Sequence, residues 1–424
     1  MLKFIHSADI HLDSPLRGLE RYEGAPVERI RGATRQALVN LVELALAEEV
    51  DFVLIAGDLY DGDWKDYNTG LFFAAQMSRL REASIKVFMI SGNHDAASQI
   101  SRQLRMPENV ARLSSRKAQT VLMDGLGVAI HGQGFTKAAV TEDLSAAYPV
   151  AVPWLFNIGM LHTSATGREG HEPYAPCSVE GLAAKGYDYW ALGHVHKREV
   201  VCEEPLIVFS GNIQGRHIRE AGAKGCTLVS VDDGRIVSAE HRELDVLRWC
   251  LKRVDVTGKE SGHEVVDLVG SAVREEMEKS DGYLLAMRLQ IVGACKAHGE
   301  LVLNAERWGS EIRMSATDVG GGNVWVEKIR FETEIQADLD EMMARDDPVG
   351  GLLRSLHRLE ASDETLLDLV PELSELKRKL PAEILQGEDA VDLLDPQCRD
   401  EIVGEMKRIL VGRLMDAARR HYTG

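Results

Sequence analysis

The sequence predicts an α/β protein, because apolar runs typical of buried strands alternate with segments of helical periodicity. The run DFVLIAGD, residues 51–58, is a nearly continuous apolar stretch of the kind found in parallel sheets covered on both faces. Residues 26–48 before it and 68–81 after it carry apolar residues at helical spacing. Strands and helices in alternation are typical of layered α/β architecture.

The remaining elements of the first half continue this alternation. Residues 1–8 predict the first strand, and IKVFMISGNHD, residues 85–95, contains the third. Later strands are predicted at GVAIHG, NIGMLHT, YDYWALGH and PLIVFSGN. The pattern weakens over 245–262, where a second domain is expected to begin.

The second domain is expected to be smaller and also mixed. Residues 263–334 predict a helix, a strand, a helix and a last strand at NVWVEKIRFE. The Gly-rich stretch DVGGGN, residues 318–323, is interpreted as a hairpin loop, because no helix start and no phosphate-binding GK[ST] follows it. No such nucleotide-binding loop occurs anywhere in the chain.

Three regions result: a larger α/β domain over 1–245, a smaller α/β capping domain over 246–334, and an acidic helical C-terminal segment over 335–424. Residues 335–400 hold 17 acidic and 7 basic residues. Six apolar residues of the final stretch lie near one helical face: Ile402, Met406, Ile409, Leu410, Leu414 and Met415. This face predicts either a helix packed on its own domain or a helix that docks a partner.

Composition limits the class of protein. The 424 residues are 45% hydrophobic and 27% charged, which is ordinary for a globular protein. No apolar run approaches the roughly 20 residues that span a bilayer, and the N-terminus lacks the features of a signal peptide. Six scattered cysteines without C-x-x-C are expected to be reduced thiols in a cytoplasmic protein. A net charge of -18 argues against a protein that coats nucleic acid non-specifically.

Polar side chains able to bind metal follow five of the predicted strands. They are Asp9, His11, Asp58, Asp61, Asn93, His94, Asp95, His162, His194 and His196. Ligands of α/β sheets collect at the carboxyl ends of strands, so these groups are expected to meet. Imidazole and carboxylate ligands without thiolate favour Mn²⁺, Fe or Zn²⁺. There are too many for one ion, and a carboxylate can bridge two.

The order of these blocks, D-x-H, G-D-x-x-D, G-N-H-D, H and G-H-x-H, resembles the calcineurin-like metallophosphoesterases. The stretches HSADIHLDSPL, YDYWALGHVH and GNIQGRHIREAG resemble the YhaO group more narrowly, relatives of the SbcD-type nuclease subunits that process DNA ends. The resemblance is strong over about residues 1–240 and weaker beyond. It implies a β-sandwich flanked by helices, followed by the capping domain.

The resemblance also implies a role for each residue of the motifs. Asp9, His11 and His196 would bind a first ion, Asn93, His162 and His194 a second, and Asp58 would bridge the two. A water or hydroxide between the ions would attack phosphorus. Mn²⁺ is the expected metal, with Fe or Zn²⁺ as alternatives.

The other two polar residues of the G-N-H-D motif are expected to be catalytic. His94 would stabilise the transition state or protonate the leaving oxygen, and Asp95 would hold its other ring nitrogen. Some relatives of the nuclease group carry a histidine where this chain has Asp61. We expect Asp61 to fix a loop or a ligand rather than to bind metal.

Outside the metal motifs, Arg216, His217 and Arg219 are candidates for contacts to substrate phosphate, with an ordinary solvated loop as the alternative. The favoured function is a DNA exonuclease of DNA repair. A small-substrate phosphodiesterase or phosphatase is the first alternative. The second is a nuclease subunit that works only with an SbcC-like coiled-coil ATPase bound to the C-terminal segment. A non-catalytic scaffold is disfavoured by the intact ligand set, and a homodimer is left open.

Overall fold

The computed structural model describes residues 1–14, 26–61, 67–97, 106–165, 174–280, 282–336, 343–344 and 346–357, together with 404, 406 and 410. The strands are β1 (Leu2–Ser7), β2 (Phe52–Ala56), β3 (Lys86–Ile90), β4 (Val110–Arg112), β5 (Gln119–Met123), β6 (Val128–Gly132), β7 (Phe156–His162), β8 (Tyr189–Gly193), β9 (Glu199–Cys202), β10 (Leu206–Phe209), β11 (Gly225–Asp232), β12 (Arg235–Glu243), β13 (Leu247–Asp255), β14 (Leu284–Cys295) and β15 (Val324–Ile335). The helices are α1 (Val27–Ala47), α2 (Tyr67–Glu82), α3 (Asn93–Ala97), α4 (Val179–Ala183), α5 (Gly262–Lys279), α6 (His298–Leu303), α7 (Ala305–Gly320) and α8 (Pro348–His357).

The chain forms two compact units. The first comprises Met1–Leu251 with Ser280–Met287, and the second comprises Lys252–Lys279 with the chain from Arg288 onward. The first unit holds two six-stranded sheets, in the orders β12-β11-β1-β2-β3-β4 and β5-β6-β7-β8-β10-β9. Strands β1 to β4 are parallel to one another, as are β6, β7, β8 and β10. The outer pairs with β11, β12, β5 and β9 are antiparallel.

The two sheets enclose a common apolar core, which makes the first unit a β-sandwich. Phe4 of β1 stacks on Phe52 of β2 at 5.1 Å between ring centroids, and it meets Tyr189 of the other sheet edge-on at 5.3 Å. Ile90 and Ile158 belong to the same buried cluster. The two inner sheet faces thus bury each other's apolar side chains.

Helices cover the outer face of the first sheet. The buried side of α1 recurs every three or four residues at Leu38, Leu41 and Ala45, which is the pattern that buries one helix face. These residues and others of α2 form one cluster with the outward side chains of β1 to β3. The predicted sandwich flanked by helices is therefore confirmed.

The second unit contains α5, α6 and α7, and β13, β14 and β15 form a separate three-stranded sheet. The expectation of a hairpin loop at 318–323 is wrong, because α7 continues through Gly320. Gly321 ends this helix with φ 54°, in the left-handed region that glycine adopts without strain. The Gly-rich run is thus a helix C-terminus leading into β15.

Most of the predicted C-terminal segment lies outside the described residues. Within it the structure gives α8 and a helical backbone at 404, 406 and 410, so the two interpretations of the final helix stay predictions. Within the described chain, no helix is both long and apolar enough to cross a membrane.

Candidate metal centre

The loops that leave β1, β2, β3, β7 and β8 meet at one end of the sandwich. Backbone hydrogen bonds join them: the N–H of Asp9 donates to Gly57 O at 3.0 Å, and that of His11 to Asp58 O at 3.0 Å. The backbone N–H of His194, after β8, donates to both carboxylate oxygens of Asp9, at 3.1 and 2.9 Å. The strand ends of both sheets therefore present their polar side chains to one place.

Four of the predicted ligands have a left-handed backbone. The φ angles are 49° at Asp9, 44° at His11, 51° at Asp58 and 98° at His194. A residue with a Cβ pays about 1–2 kcal/mol for this conformation, although Asp and His tolerate it better than most. Strain of this kind collects where side chains must be aimed at a functional site.

Close packing around the loops leaves no room for larger residues at one turn. Gly57 has φ 99°, and a Cβ placed on it would lie 2.4 Å from Nδ1 of His162. Glycine at this position lets the β2 loop approach the imidazole directly.

One group of potential ligands contains Asp9, His11 and His196, whose ligand atoms all lie within 4.8 Å of one another. The Nε2 atoms of His11 and His196 are 3.2 Å apart. The other nitrogen of each ring faces a carboxylate, Asp61 Oδ1 at 2.9 Å for His11 and Glu220 Oε1 at 2.6 Å for His196.

This pairing decides which ring nitrogens carry protons. A carboxylate only accepts, so each Nδ1 is the donor and each Nε2 of the neutral ring keeps its lone pair. Burial, with the charge of Arg216, lowers the pKa of His11 to about 4, so its ring is neutral at neutral pH. The lone pair of His11 Nε2 therefore points toward the ring of His196, where a cation can accept it. The donor set therefore fits a metal ion.

A second group contains Asp9, Asp58 and His162. Nδ1 of His162 donates to Ala56 O at 3.0 Å, and its Nε2 lies 2.9 Å from Asn93 Oδ1 and 3.3 Å from Asp58 Oδ2. Burial alone would lower the pKa of His162, but the Asp58 carboxylate raises it to about 9. The proton on His162 Nε2 thus lies between this nitrogen, Asn93 Oδ1 and Asp58 Oδ2. These three atoms could bind a divalent ion in place of the proton.

Asp58 and His194 connect these groups to the rest of the centre. Asp58 also belongs to a third group, with His11 and His94, so its carboxylate lies between the two sets. The ring of His194 packs edge-on against His162, with 5.3 Å between the centroids. The structure thus brings all seven predicted ligands into one centre.

His94 lies at the open side of this centre, with its side chain 41% exposed. Its backbone N–H donates to Asp58 Oδ1 at 2.9 Å, and its Nδ1 lies 3.0 Å from Asp61 Oδ1. Burial opposes protonation of this ring, but the Asp61 hydrogen bond and the Asp58 charge outweigh it and raise the pKa of His94. His94 is therefore poised as a proton donor.

Asp95 occupies a different place from the one predicted. Its buried carboxylate accepts hydrogen bonds from the backbone N–H groups of Leu59, Tyr60 and Gly92, at 3.3, 3.0 and 3.1 Å. Consecutive helix residues point about 100° apart, so Asp95 is turned away from its neighbour's ring. Asp61 holds Nδ1 of His94 instead, and Asp95 ties the β2 and β3 loops together.

The three predicted phosphate contacts are placed unequally. The side chain of Arg216 is 12% exposed, with Nη2 3.0 Å from Glu220 Oε1 and Nη1 3.6 Å from Asp61 Oδ2. His217 is partly exposed, and its Nε2 lies 3.4 Å from the same Glu220 oxygen. Arg219 lies in the short 3-10 turn Ile218–Glu220. Arg216 therefore orients the carboxylates behind the ligands, which differs from the predicted contact to substrate.

The sequence patterns did not single out Glu220. It is 5% exposed and accepts from His196, Arg216 and Asn212. Burial opposes its ionisation, but the hydrogen bonds from His196 and Arg216 hold the pKa of its carboxyl well below the usual range. The available signal was the i, i+4 spacing of Arg216 and Glu220 in RHIRE.

Comparison with known proteins shows the family of the chain. Residues 2–198 match the family model of the calcineurin-like phosphoesterases, and residues 249–334 match that of the middle domain of metallophosphoesterase YhaO. The chain is 35% identical to the uncharacterized metallophosphoesterase YhaO of Bacillus subtilis (strain 168), over 85% of this chain and 88% of that protein. It is 25% identical to the DNA double-strand break repair protein Mre11 of Methanopyrus kandleri, over 88% and 82%.

Two solved structures are similar at a lower level. They are TT1561 of Thermus thermophilus (14% identity, 57% of this chain and 98% of that one, TM-score 0.33) and a dimetal phosphatase of Danio rerio (12%, 55% and 93%, TM-score 0.33). These TM-scores are too low to support an inference. The family model and the extended identity to the Bacillus protein establish that the chain belongs to the calcineurin-like metallophosphoesterases, as a hydrolase with a YhaO-type middle domain.

Proposed function

We propose that the chain is a dimetal phosphodiesterase that acts on DNA, as an exonuclease of DNA repair. The observation that carries the phosphodiesterase is the convergence of two buried ligand groups on Asp58. The preference for DNA rests on the 25% identity to the Methanopyrus protein named for double-strand break repair.

In this proposal Asp9, His11 and His196 hold one ion, and Asn93, His162 and His194 hold the other. Asp58 clusters with His11 of the first set and with His162 of the second, and its carboxylate would be shared between the two ions. Two divalent ions held there would lower the pKa of a water nucleophile and offset the charge that develops on the phosphoryl oxygens. Mn²⁺ is the proposed metal, because the donors are nitrogen and oxygen without thiolate.

The chain's own proton donor is His94. Asp61 accepts from Nδ1, which favours the protonated ring and leaves Nε2 for the leaving oxygen of the ester. Asp61 also accepts from Nδ1 of His11, so one carboxylate aligns the donor and a ligand. Asp95 keeps the loops of both in register through the backbone.

A small-substrate phosphodiesterase or phosphatase is the second candidate. It is favoured by the net charge of -18, which repels a polyanionic strand. An SbcC-like coiled-coil ATPase bound to residues 335–424 would supply additional DNA contacts to this acidic chain. A homodimer is compatible with either candidate.

The test uses full-length protein with Mn²⁺ and three substrates: linear duplex DNA, circular single-stranded DNA and bis(p-nitrophenyl) phosphate. We expect Asp58→Asn to lower hydrolysis of every substrate at least about 100-fold, because it removes the shared charge between the ions. His94→Gln should lower kcat about 100-fold without weakening Mn²⁺ binding, because it removes general acid catalysis.

The control for Asp58→Asn is Asp233→Asn, the same change at an exposed residue that also has a left-handed backbone, φ 46° against 51°. It should keep full activity. Loss of linear DNA with circular DNA intact supports an exonuclease. Cleavage of the small ester alone, with both DNAs untouched, rejects DNA hydrolysis by the isolated chain in favour of the second candidate. Full activity of Asp58→Asn contradicts the dimetal mechanism.

A further inference from the structure

A cavity of about 170 Å³ lies in the first unit beside the loop that follows β6. Its lining residues come from the segments before β5 and after β6: Ser115, Arg116, Gln133, Gly134, Thr136, Lys137, Val140, Thr141, Glu142 and Leu144. Sites for drug-sized ligands usually measure about 300–1,000 Å³, so this cavity is too small for a whole nucleotide. Its size suits one phosphate group with part of a sugar.

The charged groups of this cavity are available to a ligand. Arg116 and Lys137 line it from opposite segments, and Glu142 is its one acidic residue. Within the described chain, none of these three side chains lies within ion-pair distance of an oppositely charged group. Two exposed cations without acidic partners form a positive rim on a strongly acidic protein.

A buried amide gives an independent sign of a ligand. Gln133 is only 8% exposed and lines the cavity. Its backbone N–H donates to Tyr148 Oη at 2.8 Å, but no hydrogen bond joins its side-chain amide to another residue that the structure describes. The cavity is where this amide can be satisfied.

The walls of the cavity are held in place before any ligand arrives. The N–H of Gly134 donates to Ser114 O at 3.1 Å, which joins the two lining segments. The N–H of Arg116 donates to Ser114 Oγ at 3.1 Å, and that of Ser114 to Gln119 Oε1 at 2.8 Å. The turn that carries Arg116 is thus fixed by its own hydrogen bonds.

One wall of the cavity also borders the metal centre. Phe135 directly follows Gly134, and its ring packs edge-on against His162 with 5.5 Å between centroids. The N–H of Phe135 donates to Ser91 O at 2.8 Å, and Ser91 Oγ donates back to Phe135 O at 3.1 Å. Ser91 is two residues before Asn93. The segment that lines the cavity is therefore in contact with a proposed metal ligand through Phe135.

We propose that this cavity binds a phosphate group of the substrate strand, next to the phosphodiester that is hydrolysed. Arg116 and Lys137 neutralise the phosphate and the Gln133 amide donates to one of its oxygens. The proposal rests on the proposed action on nucleic acid. The cavity would give this acidic protein a positively charged contact to substrates that carry more than one phosphate.

The first test measures binding without hydrolysis. Thymidine 3′,5′-bisphosphate is titrated into full-length protein in EDTA, where metals cannot hold phosphate, and binding is followed by ligand-observed NMR. Thymidine and inorganic phosphate serve as comparison probes. We expect the double variant Arg116→Gln, Lys137→Gln to weaken bisphosphate binding at least about tenfold.

The matched control is Lys117→Gln, which removes an exposed cation one residue from Arg116 that does not line the cavity. It should change the affinity less than about twofold. Gln133→Leu keeps both cations and should weaken binding about fivefold through the lost amide hydrogen bond. Equal binding by the double variant and the control overturns the proposal, as does no binding by the unmodified chain. Equal affinity for inorganic phosphate and for the bisphosphate would show that the cavity binds a free phosphate ion, which overturns the proposal that it binds a phosphate of the substrate strand.

The second test is kinetic and separates this proposal from the proposed function. With Mn²⁺, the double variant should raise KM for an oligonucleotide about tenfold and leave kcat unchanged. The KM for bis(p-nitrophenyl) phosphate, which has no second phosphate, should not change. If the unmodified chain hydrolyses no DNA, the proposed function is wrong. The binding test still shows whether the cavity binds the bisphosphate.

Discussion

At the scale of single residues, the proposed metal centre is supported by two carboxylates outside the proposed ligand set. Asp61 holds Nδ1 of His11 and of His94, and Glu220 holds Nδ1 of His196. Each bond fixes the tautomer and the direction of the ring, so that Nε2 faces the centre. Arg216 contacts both carboxylates and keeps them ionised and in place.

Glu220→Gln is expected to weaken Mn²⁺ binding about 10- to 100-fold, because the neutral amide no longer favours the tautomer of His196 with a free Nε2. Binding is measured by calorimetric titration of metal-free protein. Activity should recover at high Mn²⁺, which a general loss of structure would not allow. Glu240→Gln, the same change at an exposed residue of β12, is the control. Unaltered Mn²⁺ affinity in Glu220→Gln would show that the carboxylate does not position the ligand.

The sequence predicts the proposed metal ligands better than it predicts the residues that hydrogen-bond to them. Asp9, Asp58 and His162 directly follow or end apolar strands, so their meeting follows from the parallel sheet alone. The partner of His94 could not be derived in this way, because it depends on how the β2 loop turns after Asp58. The role of Glu220 depends likewise on the fold of a loop with no regular period.

At the scale of elements, hydrogen bonds through the core hold the two sheets together in addition to apolar packing. His6 of β1 is fully buried and contacts two groups of β8. Its Nε2 donates to Leu192 O at 3.1 Å, since a carbonyl only accepts, so Nδ1 accepts from Tyr189 Oη at 2.8 Å. The neutral imidazole satisfies both contacts, and burial lowers the pKa of His6 to about 3.

The free energy of unfolding should therefore decrease as the pH is lowered below about 6.5, the ordinary pKa of histidine. The unfolded chain binds a proton there and the folded chain does not, so His6 contributes a loss of about 1.4 kcal/mol per pH unit between pH 6.5 and 3. Denaturant unfolding at pH values of about 6.5, 6 and 5 measures this change in the free energy of unfolding. His6→Gln should be less stable at about pH 7 and show a shallower slope, by about that amount. Parallel slopes for the two proteins would contradict a neutral His6.

The strands differ in how clearly the sequence announces them. The parallel strands β2, β7 and β8 are fully buried, and their apolar runs predict them directly. The sequence-based expectations do not include the hairpin of β11 and β12, although Asp233 and Gly234 form a turn signal between these two strands. Strand β12 is mostly accessible, so it lacks the continuous apolar run that marks the buried strands.

At the scale of the whole molecule, the metal centre joins segments that are far apart in sequence. Its predicted ligands extend from Asp9 to His196 and lie on loops of both sheets. In the absence of cations, Asp9 and Asp58 place two carboxylates close together in a buried site. The cationic ring of His162 beside Asp58 offsets part of this negative charge, and divalent ions would replace that proton and offset the charge more fully.

Metal binding should therefore be visible as stability of the whole first unit. A ligand that binds only the folded chain adds about 2.7 kcal/mol at a concentration of about 100 times its Kd. For a unit of about 250 residues this corresponds to a rise in Tm of roughly 5–10 °C. Differential scanning calorimetry with EDTA or with Mn²⁺ measures the shift. Asp58→Asn should be less stable than the unmodified chain in EDTA, because the contact with His162 outweighs burial and lowers the pKa of Asp58, and it should lose most of the Mn²⁺ shift. Asp233→Asn should keep the whole shift. A Tm of the unmodified chain that is the same in EDTA and Mn²⁺ would mean that the buried polar groups are stable without cations, and the dimetal centre would then be wrong.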